Sequence, residues 1–141
     1  FDVCFVGGRA NNGFDEKYKI MINHFAAFKD SGLKCGIFVD KNLTHEQENK
    51  ILYNSKVAIN IHDAYQRELG LDTNELHRIF PDVKWTNDPK EMVKFVKEYV
   101  SMPEEELNSI KEKNRKMISD NHTYVHRVKQ LLELWQIQKY Q

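Results

Sequence analysis

Three short polar stretches, each following an apolar run, are where this 141-residue chain could do chemistry. The first is GGRANNG, residues 7–13. Paired glycines let a backbone approach a ligand closely, free N–H groups ahead of a helix can hold a phosphate, and Arg9 adds a positive charge. The spacing is neither G-x-G-x-x-G nor the G-x-x-x-x-G-K-[ST] of a P-loop. A tight turn with glycine at positive φ accounts for the same residues. The second stretch is Asp40. An acid in that position would bind a ribose hydroxyl in a dinucleotide-binding unit. Without the glycine fingerprint, a turn or helix-capping role suits it better. The third is Asn60, His62 and Asp63. Polar residues in a strand buried on both faces need partners. A neighbouring loop would serve Asn60, whereas His62, at the carboxyl end, suits a ligand-facing and a structural role equally.

Other chemistries find no footing. His45, His77, His122 and His126 do not form a metal pattern, and there is no H-E-x-x-H, so no metal site is expected. No G-x-S-x-G elbow occurs, and no carboxylate pair is positioned by spacing. His24 lies beside core positions of a helix and reads as structural. Cys4 and Cys35 sit in apolar runs without C-x-x-C spacing, which predicts two buried thiols in a reducing cytoplasm.

Composition narrows the classes further. Lys plus Arg equals Asp plus Glu at 21 each, so no net charge draws the chain to nucleic acid or an anionic membrane. The apolar runs are too short to span a bilayer. The chain opens on FDVCFVGG, inside a strand and without an initiator Met, and reads as a fragment holding one domain, 1–141.

The elements that must position these residues follow from periodicity. DVCFVGG (2–8), LKCGIFVD (33–40) and VAINIH (57–62) read as buried parallel strands, and VKWT (83–86) as a short fourth. Residues 15–32 carry Tyr18, Met21, Ile22, Phe25, Ala26 and Phe28 at helical spacing, with Gly32 as a stop. Residues 43–56 form a helix with Thr44 and Gln47 as a capping box. Residues 76–81 read as a helical turn. Asp88 and Pro89 open a helix whose stripe is Met92, Val93, Val96 and Val100. Two more helices follow, over 102–121 and 123–140. This alternation predicts an α/β domain with a Rossmann-like, doubly wound parallel sheet and C-terminal helices.

DVCFVGG, YNSKVAINIHD (53–63) and NHTYVHRVKQLL (121–132), in that order, resemble the C-terminal domain of GT-B glycosyltransferases of the glycosyl transferases group 1 type. The likeness is nearest to the CgeB-like, spore-maturation-protein branch. There a first strand ends in hVGs, a later strand reads alNih and leads to an N-x-R-x-F-E segment, and a closing helix carries hTyehR. His122, Thr123, Tyr124, His126 and Arg127 match the closing motif. DTNE (72–75) resembles the start of the N-x-R-x-F-E segment, but Glu75 runs directly into LHRIFP. The resemblance thus implies that about twenty residues, a helix and a strand, are missing between Glu75 and Leu76. Loss of a central strand would leave its sheet neighbours uncovered.

The resemblance implies a domain that binds the nucleotide part of a UDP- or GDP-type nucleotide-sugar, with no further cofactor. Gly7 and Gly8 would lie near the diphosphate, with Arg9 as the cation on the leaving group. Asn60, His62, Asn74 and Glu75 would belong to the same donor-binding site. Such enzymes generally stabilise the departing diphosphate with helix N-termini and basic residues rather than a metal. It implies a cytoplasmic glycosyltransferase of the hexosyltransferase type, inactive as this domain alone. An acceptor glycan, protein or small molecule would be bound largely by a separate N-terminal domain. Trp135, Ile137 and Tyr140 would reach back toward that domain, although Trp135 could instead pack on the preceding helices. A non-enzymatic Rossmann-like or receiver-like module is the alternative. A receiver needs acids after its first strand, which VGGRANN does not supply.

Overall fold

The computed structural model describes residues 1–9, 16–61 and 82–138. Contacts divide the chain into two compact units, Phe1–Ser101 and Met102–Gln141. The first unit is α/β. Strand β1 is Val3–Gly7, helix α1 Glu16–Phe28, β2 Cys35–Val39, α2 His45–Tyr53, β3 Val57–Ala58 and α3 Pro89–Ser101. The strands form a parallel sheet in the order β2-β1-β3. Its register pairs Val3 with both Cys35 and Val57, and Gly7 with Val39.

β1 is central because its sequence tolerates burial on both faces. Val3, Cys4 and Phe5 are consecutive and all buried, as a parallel strand covered on two sides requires. Two clusters cover the face that carries Val3 and Phe5. Phe28 of α1 and Val96 of α3 pack with Val3. Met21 of α1 packs with Phe5 and Ile61. The predicted stripe of α3 is correct, since Met92, Val93 and Val100 join Val96 in the first cluster.

The stripe of α1 is narrower than its apolar residues imply. Met21, His24 and Phe28 are buried, while Tyr18 and Ile22 are exposed. His24 donates from Nδ1 to the Ile20 carbonyl at 2.8 Å, one turn back. That bond satisfies a polar ring inside the core and accords with its structural reading. Gly32 has φ +78°, the left-handed conformation that halts the chain after α1.

Local capping follows the sequence closely. Thr44 Oγ1 accepts from the Gln47 N–H, and the Gln47 side chain accepts from the Thr44 N–H. This closes the capping box at α2. Asp88 Oδ1 accepts from the Glu91 N–H at 2.8 Å at the start of α3.

The expected strand over 83–86 is not formed; residues 82–88 are not strand. Their side chains engage α3 instead. Lys84 pairs with Glu98 and lies over the rings of Phe95 and Tyr99 at 4.9 and 5.6 Å. The Tyr99 hydroxyl donates to the Asp82 carbonyl. An ammonium flanked by two aromatic faces and a carboxylate draws this segment along the helix rather than into a ladder. The third strand is also shorter than expected, ending at Ala58. The expected turn over 76–81 and the junction between Glu75 and Leu76 lie outside the described residues.

The second unit holds α4, Glu104–Asn121, and α5, Tyr124–Gln138. Glu104, Glu105 and Glu106 occupy the first turn of α4, where the helix dipole favours negative charge. No described helix is long and apolar enough to cross a membrane.

Candidate functional site

Parallel strands in register deliver their carboxyl ends to one edge, where open α/β sheets bind ligands. Here that edge carries Gly7 at the end of β1 with Gly8 and Arg9 after it, Asp40 after β2, and Asn60 beyond β3. Gly7 stays in the strand and does not have positive φ, so the turn explanation fails for it. A Cβ there would stand 3.0 Å from the Phe5 ring, a tight contact. The buried ring of Phe5 thus crowds any side chain at the strand's end.

Arg9 and Asp40 meet across the ends of β1 and β2. Asp40 Oδ1 accepts from the Arg9 backbone N–H at 3.1 Å, and Oδ2 accepts from Arg9 Nε at 2.7 Å. The Asp40 N–H donates to the Gly7 carbonyl at 3.1 Å. Asp40 has φ +50° and Asn42 φ +47°, a left-handed geometry that Asp and Asn adopt more readily than most residues. The turn role predicted for Asp40 is therefore correct; Thr44 supplies the helix cap. The Arg9 guanidinium holds the Asp40 carboxyl below its ordinary value, chiefly by the side-chain hydrogen bond.

The guanidinium also lies 5.8 Å from the centre of the Tyr18 ring. Arg9, Tyr18, Met21, Ile22, Phe25, Val39 and Asp40 line an open cleft of about 440 Å³. Its lining combines apolar side chains with one cation and one anion.

Sequence reasoning missed the Arg9–Asp40 pair, although a signal existed. Arg9 and Asp40 closely follow two strands expected to be parallel, so their opposite charges face the same edge. Asn60 departs from expectation in another way. It is exposed, flanked by the partly buried Ile59 and the buried Ile61, so it is not the buried polar group that the strand reading required. The structure brings Arg9 to Asp40 and Tyr18 and leaves Asn60 in solvent. His62, Asn74 and Glu75 lie outside the described residues.

The closing motif forms a local knot at the start of α5. Thr123 donates from its N–H to His126 Nδ1 at 3.3 Å, and the Thr123 hydroxyl lies 2.7 Å from the same nitrogen. Arg127 reaches His122 Nδ1 at 3.3 Å through Nη2 and Gln130 Oε1 at 3.0 Å through Nη1. Each of these bonds joins residues no more than five apart, so the motif organises a helix start. Tyr124 is 92% exposed and Trp135 72% exposed, against the reading in which Trp135 packs on the preceding helices. The side chains of Ile137 and Tyr140 lie outside the described set. Among the described residues, no three His, Cys, Asp or Glu side chains group as a metal-ligand set.

Residues 65–133 match the family model for glycosyl transferase-like proteins. The glycosyl transferase-like span is just under half of the chain and takes in α3, α4, most of α5 and the His122–Arg127 knot. It also contains Asn74 and Glu75. β1, β2 and the Arg9–Asp40 pair precede it. No curated protein and no solved structure matches the chain.

Proposed function

We propose that this chain is the donor-binding part of a GT-B glycosyltransferase, with a Rossmann-like, doubly wound sheet of the CgeB-like branch. The observation that carries the reading is the glycosyl transferase-like match over residues 65–133. The parallel sheet supports it, since its carboxyl edge is where such a sheet would take a nucleotide.

In this reading the enzyme transfers a sugar, of the hexosyl type, from a UDP- or GDP-sugar to a glycan, protein or small-molecule acceptor in the cytoplasm. Gly7 and Gly8 let the diphosphate approach the backbone. Arg9 places positive charge where the leaving diphosphate gains negative charge, and that differential stabilisation lowers the barrier. Asn60, His62, Asn74 and Glu75 complete the donor site. A separate N-terminal domain supplies most of the acceptor site, so this part alone binds donor without turnover.

Calorimetric titration of the full chain with UDP, GDP and their sugar conjugates tests the proposal. Saturable binding to one diphosphate series is expected. An absence of heat with every nucleotide at millimolar concentration would overturn it.

A further inference from the structure

We infer that Asp40 is a positioning residue for the donor diphosphate, acting through Arg9; the inference rests on the donor-site reading above. The geometry is a closed set of bonds. Asp40 donates its N–H to the Gly7 carbonyl and accepts from both the backbone N–H and Nε of Arg9. One residue from β2's end thus holds the backbone and the side chain of the loop that follows β1.

Arg9 needs such a hold because its side chain is 59% exposed. An untethered arginine in water samples many rotamers, and binding a phosphate must then order it. Asp40 takes only Nε and the backbone N–H. A guanidinium has five N–H donors in a planar fork, so the edge formed by Nη1 and Nη2 is not occupied by Asp40. That edge can meet two phosphate oxygens at once.

The carboxylate also has a cost, because it repels a phosphate. The two anions stand on opposite sides of the guanidinium, so their repulsion acts over a longer distance than either attraction. At a solvent-exposed site it is also screened. Ordering of Arg9 is therefore the larger effect, and the sign of the result follows: loss of the carboxylate weakens diphosphate binding.

The test is a double-mutant cycle on the full chain, titrated with UDP, or with GDP if that is the series the wild type binds. Asp40→Asn and Asp40→Gly both accept the left-handed backbone, so the turn survives. Each is expected to weaken diphosphate binding roughly three- to tenfold, the scale of ordering one long side chain. In an Arg9→Gln background the same substitutions are expected to change binding by less than about twofold, because the group they position is gone. Equal losses in both backgrounds mean that Asp40 acts on the fold in general and overturn the inference. Unchanged or tighter binding of Asp40→Asn overturns it too. If the wild type binds neither diphosphate, the donor-site reading itself fails, and the inference fails with it.

Discussion

The Asp2 carboxylate accepts the backbone N–H of Lys34 at 2.9 Å, across 32 residues of sequence. The Asp2 N–H donates to the Lys34 carbonyl, so side chain and main chain together bind the start of β1 to the entry of β2. On the other side the Asp2 carbonyl accepts from the Val57 N–H, and the carboxylate stands 3.7 Å from the Lys56 ammonium. Asp2 therefore pins the amino ends of β1, β2 and β3.

This arrangement predicts a specific pH dependence. The Lys34 N–H holds the Asp2 carboxyl below its ordinary value, with the Lys56 charge as a smaller aid. A carboxylate whose folded pKa is depressed contributes stability above the unfolded value, and that contribution fades as pH falls through the folded value. Asp2→Asn keeps an acceptor for the Lys34 N–H but loses its charge, and is expected to cost about 1 kcal/mol at neutral pH, the difference between a charged and a neutral acceptor. The exposed Lys56 contact adds little. Urea unfolding of wild type and variant, repeated from pH 7 to pH 2, measures this. The gap is expected to close below about pH 4. A gap that stays constant with pH would assign the effect to something other than the charge.

Core placement makes a second, quantitative contrast. Phe28 is 2% exposed and joins α1 to β1 and α3, whereas Tyr53 at the end of α2 is 89% exposed. Phe28→Ala is expected to cost about 3–5 kcal/mol through lost burial and the cavity left behind. Tyr53→Ala should stay within about 0.5 kcal/mol. Urea midpoints at constant m-value report both. Similar costs for the two would contradict the packing of α1 on the sheet.

The thiols offer a third test. Both cysteines are free; Cys4 is buried, and Cys35 is only partly so, where sequence had placed both in the core. Burial pushes the Cys35 thiol above its ordinary value, and the thiolate is the reactive form. An aromatic disulfide reagent at pH 7.5 is therefore expected to label the folded chain more slowly than a free thiol, with Cys35 ahead of Cys4. Labelling of Cys35 should go on rising with pH past the ordinary thiol range before it levels off. Two thiols should react at once in denaturant. Two fast thiols under native conditions would rule this packing out.

What the sequence by itself determined was whatever depends on neighbours within a turn or two. The Thr44–Gln47 box, the Asp88 cap, the stripe of α3 and the stop at Gly32 were all legible, because a helix brings residues three and four apart together whatever surrounds it. The parallel character of the sheet was legible too, from apolar runs alternating with helices. Tertiary structure alone decided the rest. Arg9 could meet a phosphate, a turn or an acid. It meets Asp40, 31 residues away, because β1 and β2 end in register. VKWT has the composition of a strand, yet Lys84 finds Glu98, Phe95 and Tyr99 on α3, and the segment follows the helix. Gly7 looked like a turn residue, yet it stays in the strand, and the Phe5 ring crowds the place a Cβ would take. Each of these outcomes depends on which surface another element presents, and no spacing along the chain encodes that.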